Sequence, residues 1–558
     1  MMACFMIVLV AFAGCAVDGT RLYMVNVRLQ QACDAGALAG RKAMTDTSMS
    51  NTTLDATATA QANAFFANNF RLGWFGTTSV TFTPSKTAQA QVAGTAKATM
   101  PMTLMRIFGF GNLSLTTTCE ASFDVADTDV IFVLDTTGSM ACLPADDETT
   151  CTNYVGSAGT TTYSRPADGT GSGNDSAAGY PGSTGYSVPE KSGSRISAVR
   201  SAVLSFFDTL SGAVDPSTHI RYGFVTYTST VNAGKAIMEM SPAYMVGGAG
   251  NSNTNWTYDA RTASGFPGNW TYAASSFNVA GFVQNTSVAD PTKTTGATSS
   301  WAGCIEERAT TPGVMTFDVN ALPNDLNPDL IPTNAIATQW KPMWPEIFYA
   351  RNNFVTTNAA TSFGDSGNDP NIGTAPYYQA GWITCGKPVS RLKVMTRTQV
   401  AAYVNAPDFV PIGGTYHDTG MIWGTRMLSP GGIFANDTAA WTGRDAPNRV
   451  IVFLTDGDME PSQYVYGMYG NEYYDGRVAG GDLGNLKAYH NARFLAECAA
   501  AKARNVSIWT VSIASTATPQ MQSCATTNAQ ALATTDGTGL SNAFIAIAKN
   551  VAMLRLSK

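Results

Sequence analysis

The run Val130-Ile131-Phe132-Val133-Leu134 constrains this chain most. Consecutive apolar and β-branched residues predict a strand covered on both faces, as in a parallel sheet flanked by helices. Asp135-Thr136-Thr137-Gly138-Ser139 follows at its C-terminal end, the edge at which open α/β sheets bind ligands. The spacing Asp-x-Thr-x-Ser sets one carboxylate and two hydroxyls on a short loop. Hard oxygen donors of this kind suit Mg²⁺, with Mn²⁺ or Ca²⁺ as alternatives.

Two later segments extend the set. Ile412-Gly413-Gly414-Thr415 is a Gly-rich turn that ends in a hydroxyl residue before a helix, Tyr416 to Met427. Val450 to Leu454 is a second doubly buried run, followed by Thr455-Asp456-Gly457. The candidate metal residues are therefore Asp135, Thr137, Ser139, Thr415 and Asp456.

The remaining periodicities predict an α/β fold with a doubly wound, mostly parallel sheet. Ile196, Val199, Val203, Phe206 and Leu210 mark one face of a helix. Arg221 to Tyr227 reads as a strand, and 228–237 (TSTVNAGKAI) as its antiparallel neighbour. Tyr489 to Lys502 reads as a helix, Asn505 to Ile513 as a strand, and Leu540 to Leu554 as the closing helix. Two insertions, 141–193 and 241–395, interrupt this core, and both are expected to project from the face that carries the metal loop. Asp325-x-Asn327-x-Asp329 reads as solvated turn carboxylates or a small calcium loop. Asp365, Asp369 and the acidic run 146–148 read as loop charges.

The N-terminal end differs. Residues 1–17 carry no charged side chain, and Leu22, Val25, Leu29 and Cys33 then recur at helical spacing. One long helix over about 1–45 is predicted, with Asp18 and Arg21 able to pair one turn apart. Its apolar start reads as a transmembrane anchor, a cleaved signal peptide, or a lipoprotein signal ending at Cys15. Basic residues (Arg21, Arg28, Arg41, Lys42) follow the apolar run, which by charge alone would leave the bulk of the chain inside. Residues 46–126 predict a small α+β domain. It comprises a helix with Phe65, Phe66 and Phe70, strands either side of a Pro84-Ser85 turn, a short helix opened by Pro101, and a third strand. The core parts are then 127–240 and 396–558.

Composition closes off several functions. With 34 Lys+Arg against 40 Asp+Glu and no basic stripe, nucleic-acid binding is not expected. Three histidines, and no GxSxG, Walker or HExxH motif, argue against an enzyme; His417 is expected in the first turn of a helix. Ten cysteines without a CxxC exclude zinc ribbons. Their placement, with charged residues at only 13%, points to an oxidising compartment. Cys142–Cys151, Cys304–Cys385 and Cys498–Cys524 are the expected disulfides.

The segments DVIFVLDTTGSM, GGTYHDTGMIWGTRMLSP and VIVFLTDGDM resemble the von Willebrand factor A (vWA) domain and its metal-ion-dependent adhesion site. Asp135, Thr137 and Ser139 match its first element, Thr415 the second-loop threonine, and Asp456 the second aspartate. Threonine stands at 137 where the family usually has serine. The resemblance implies that the hydroxyls ligate the ion, that the aspartates act largely through water, and that a partner's acidic residue completes the shell. With the N-terminal stretch and the end AFIAIAKNVAMLRLSK, the whole chain resembles TadG-like proteins of Tad/Flp pilus machineries. Those usually carry a basic segment before the apolar run, and here it is absent. The resemblance implies a pilin-like small domain and a membrane-anchored, exported protein of the cell envelope. It would act in pilus assembly or as a minor-pilin adhesin, with pilus subunits or a surface ligand as partners. A vWA subunit without metal-dependent binding, or a chaperone-like vWA assembly factor, is the alternative.

Overall fold

The computed structural model describes residues 2–44, 53–87, 91–121, 127–165, 184–213, 218–264, 271–284, 287–289, 298–299, 301–343, 385–463 and 465–553. It divides into two compact units, essentially residues 1–125 and 126–554. Asp365 and Asp369 lie outside the described residues.

In the first unit, helix α1 (Met2–Ala43) packs on helix α2 (Ala56–Asn69) and on a three-stranded antiparallel sheet. Asp55 caps α2 by accepting from the Ala58 N–H at 2.8 Å. Strands β1 (Ser79–Lys86), β2 (Val92–Pro101) and β3 (Asn112–Ala121) lie in that order. Val25, Leu29, Cys33 and Ala37 of α1 meet Phe66, Phe70, Ala96, Ala98 and Met100 in the core, so the helical spacing of the sequence is a packing face. Cys33 is bonded to Cys119 of β3, a disulfide beyond the three expected from the sequence.

Three expectations are corrected here. Pro84 and Ser85 are not a turn; they sit in β1, opposite Gly94 and Ala93. β1 is an edge strand, where a residue without an N–H leaves no ladder bond unmade. Pro101 ends β2, and the helix expected after it is one 3₁₀ turn, Met105–Phe108. No helix among the described residues is long and apolar enough to cross a membrane. From Gly14 onward α1 is in contact with protein: a β-carbon on Gly14 would stand 3.1 Å from the Met105 sulfur.

The second unit is built on a six-stranded mixed sheet. Its strands are β4 (Thr128–Asp135), β5 (Ile220–Tyr227), β6 (Ser390–Lys393), β7 (Asn448–Thr455), β8 (Val506–Ile513) and β9 (Ala531–Thr534). The spatial order is β6-β5-β4-β7-β8-β9, with β6 antiparallel to β5 and every other pair parallel. The antiparallel edge is thus Ser390–Lys393, from a segment expected to belong to the insertion. Residues 228–237 instead run from a loop into a short helix, Gly234–Met240.

All eight residues of β4 are buried. Ile131 and Val133 face one layer, with Val225, Ile451 and Phe453. Val130, Phe132 and Leu134 face the other, with Val450, Val452 and Leu454. Helix α3 (Glu148–Ser157) follows the Asp135–Ser139 loop. Helices α4 (Arg195–Ala213) and α8 (Gly537–Met553) cover the second layer; α6 (His417–Leu428) and α7 (Leu486–Ala503) cover the first. Between them in sequence, α5 (Arg397–Val404) packs on the second layer.

The described part of the second insertion does not all project from the sheet edge. Trp301, Ile305 and Trp340 join the first core layer beside Trp423, and the fully buried Glu307 accepts from Arg426 of α6 at 2.7 and 3.0 Å. The Asp325 triplet is neither solvated as a whole nor a calcium loop. Asp325 is buried and pairs with Arg493, and Asp329 pairs with Arg504 at 2.6 Å.

Candidate functional site

In the sheet the chain runs outward from β4 to β5 and β6, then crosses back to β7, β8 and β9. The winding reverses between β4 and β7, so their C-terminal ends open a crevice there. Asp135 is the last residue of β4, and Asp456 directly follows β7. The Gly413-Gly414-Thr415 turn closes on the same edge. Gly138 N–H donates to the Gly413 carbonyl at 2.9 Å, and Ile412 N–H to the Thr136 carbonyl at 2.7 Å. Gly413 has φ 69°, which favours glycine at this point.

All five candidate residues come together. Thr415 Oγ1 donates to Thr137 Oγ1 at 3.3 Å, Thr137 Oγ1 and Ser139 Oγ are 3.1 Å apart, and Ser139 Oγ donates to Asp456 Oδ1 at 2.9 Å. Asp135 Oδ1 accepts from the Thr137 N–H at 2.8 Å, and Asp135 Oδ2 from Thr455 Oγ1 at 2.9 Å and Tyr227 Oη at 3.3 Å. Asp135 therefore sits beneath the hydroxyls, fully buried. Burial first, and the nearby Asp456 charge second, push its carboxyl up to about 7.

Several partners were not legible in the sequence. Arg195, the first residue of α4, is buried and donates Nη1 to Asp456 Oδ2 at 2.8 Å. Its Nε and Nη2 donate to the Leu143 and Asp146 carbonyls at 3.2 and 2.8 Å. Only its place at a helix start marked it. Thr455 also meets His417 Nε2 at 3.0 Å. His417 does open a helix, α6, and burial pushes it down to about 4, so its ring is neutral.

The three expected disulfides, Cys142–Cys151, Cys304–Cys385 and Cys498–Cys524, are formed. Cys142 follows the turn that carries Ser139, and Cys151 lies on α3, so this bridge holds the start of the first insertion beside the site. The acidic run is more than loop charge. Asp146 pairs with Lys191 at 2.6 Å, and Asp147 caps α3 through the Thr150 N–H at 2.7 Å.

These elements wall a cleft of about 760 Å³ whose floor includes Thr137, Ser139, Thr415 and Asp456. Its rim carries Asp147, Glu148, Asp458 and Glu460, with Lys487 bonded to the last two at 3.3 and 2.7 Å. Among the described residues no three His, Cys, Asp or Glu side chains gather as a metal cage. The donor set here is hydroxyl-rich instead. Three neutral oxygens, two carboxylates and no nitrogen or sulfur donor fit a hard divalent ion that keeps some of its water.

The pilus adhesin SpaC from Lactobacillus rhamnosus GG is similar to this chain at 10% identity and a TM-score of 0.30, over 85% of this chain and 34% of that one. The chain thus spans about a third of the length of SpaC. The PilB minor pilin from Streptococcus sanguinis is similar at 8% identity and a TM-score of 0.29, over 85% and 78%. Scores this low do not establish a shared fold. No curated protein matches the chain. Residues 1–61 match the TadE/G-like Flp pilus-assembly family, which makes the N-terminal region of this chain Tad-pilus-related.

Proposed function

We propose that this is a non-catalytic, exported binding protein of a Tad/Flp-type pilus system, with a vWA-type head that engages its partner through a divalent cation. The observation that carries this reading is the hydrogen-bonded chain Thr415–Thr137–Ser139–Asp456 at the floor of an open cleft. Thr137, Ser139 and Thr415 would hold Mg²⁺, with Asp135 and Asp456 orienting them and its water. The ion would supply a positive point for a partner's Asp or Glu. The rim acids Asp147, Glu148, Asp458 and Glu460 then select a partner whose acidic residue is flanked by Lys or Arg. The four disulfides and the TadE/G-like region support a place in the cell envelope among pilus subunits.

The test is calorimetric titration of the full chain with Mg²⁺, together with capture of envelope partners with and without EDTA. Binding by the parent and none by Asp135→Ala, with an unchanged disulfide pattern and circular dichroism, is expected. A second reading rests on Arg195. Its guanidinium already neutralises Asp456, so the head could be a structural subunit that needs no ion. Absence of Mg²⁺ binding by the parent would select that reading.

A further inference from the structure

We infer that two short loops of the first unit form an apolar collar that rests in the surface of a lipid bilayer and sets the depth at which α1 meets it. Both loops are fastened to the same stretch of α1. The Asp18 carboxylate accepts from the backbone N–H groups of Thr103, Leu104 and Met105 at 2.9–3.1 Å. Arg21, which also meets Asp18 at 3.4 Å, donates to the Phe75 carbonyl at 2.8 Å and to the Thr103 hydroxyl. Gly14 lies against Leu104 and Met105. Loop 71–78 and loop 102–111 are thereby held where the uncharged stretch of α1 ends.

What the loops present is apolar. Leu72 is 68% exposed, Trp74 40%, Phe75 37%, Ile107 72% and Phe110 56%, and Phe12 on the adjoining part of α1 is 73% exposed. Phe75 takes a left-handed backbone conformation, φ 55°. Such a conformation is rare for a bulky residue and marks functional positions when the surrounding structure holds it; here the Arg21 bond to its carbonyl does so. Neither loop contains an acidic residue, and their charges are Arg71 and Arg106, both exposed.

The occupant follows from these features together. Trp favours the headgroup level of a membrane, Phe and Leu on an apolar face sink to the boundary with the acyl chains, and arginines beside them meet lipid phosphates. The exposed apolar side chains adjoin the uncharged stretch of α1, and that continuity with an apolar helix start, together with Trp74 and the two arginines, favours lipid over a protein partner. The collar is a lipid-contacting surface whether α1 ends in one leaflet or is continued by other elements. It does not depend on the metal site.

The test uses the full chain with Cys4 and Cys15 replaced by serine, so that the eight paired cysteines remain. An environment-sensitive fluorophore is placed by Ile107→Cys, and separately by Gln61→Cys on the exposed side of α2. Vesicles of phosphatidylethanolamine and phosphatidylglycerol, with and without lipids brominated close to the headgroup, are added. The label at 107 should shift to the blue and lose at least half its emission to the brominated lipid, while the label at 61 reports water throughout. A label at 107 that stays in water on vesicle-bound protein overturns the inference, as does failure of the chain to bind vesicles. A lipid-independent blue shift that grows with protein concentration would make the face an interface between copies of this chain instead.

Discussion

Arg195 and Asp456, 261 residues apart, meet at 2.8 Å inside the cleft, and Asp456 spends its other oxygen on Ser139. One carboxylate therefore links a helix start to the hydroxyl cluster. Two buried carboxylates and one arginine leave a deficit of positive charge that a divalent ion would reverse.

Arg195→Gln removes that cation and leaves the two carboxylates to each other. Mg²⁺ affinity should rise about tenfold, equal to about 1.4 kcal/mol. Stability without metal should fall by about 3 kcal/mol, because a buried charge loses its partner. Calorimetry and urea unfolding, each with and without Mg²⁺, read the two effects separately.

Opening the Cys142–Cys151 bridge acts on the same cluster through the backbone. Cys142 N–H donates to the Ser139 carbonyl at 3.0 Å, so the Cys142→Ser, Cys151→Ser double variant frees the turn that carries Ser139. A Mg²⁺ affinity lowered about tenfold is expected, with the melting of the first unit unchanged. Unaltered affinity would show that the backbone bonds of the turn, Gly138 to Gly413 and Cys142 to Ser139, hold it without the disulfide.

Cys33–Cys119 closes a separation of 86 residues. On loop entropy its loss should cost the first unit about 4.6 kcal/mol. Replacing both cysteines by serine should lower the denaturation midpoint of that unit and leave the second unit as it was. Limited proteolysis in increasing urea, with fragments identified by mass, follows the two units separately.

Glu497 of α7 is buried, and desolvation raises its carboxyl to about 8 despite Arg426, Arg493 and Arg504 nearby. In the unfolded chain a glutamate titrates near 4.3. The folded state therefore favours the protonated form. The contribution is complete below the unfolded value and is lost as pH rises towards 8. Glu497→Gln, which mimics the protonated form, should match the parent near pH 4. It should gain on the parent above that by up to about 1.4 kcal/mol per pH unit. Equal pH profiles for the two proteins would place the ionised carboxylate in the folded parent.

Features that depend on neighbours along the chain are legible in its residues. The uninterrupted apolar runs 130–134 and 450–454 dictate strands buried on both faces, because only burial on both sides removes every side chain of such a run from water. The Asp135 loop and Asp456 are then carried to one sheet edge by strand ends alone. Closely spaced cysteines such as 142 and 151 needed only a short loop to meet. Contacts between distant segments leave no periodic signal and emerge only when the chain is folded. Ser390–Lys393 is a strand because β5 offers it an edge, not because its four residues favour one. Asp18 is a loop clasp because three N–H groups of a remote turn point at it. Arg195 is part of the site because α4 begins beside Asp456, just past the end of β7. Local patterns encode burial and direction, whereas the partner of a buried charge is chosen by whichever remote group packing brings within reach.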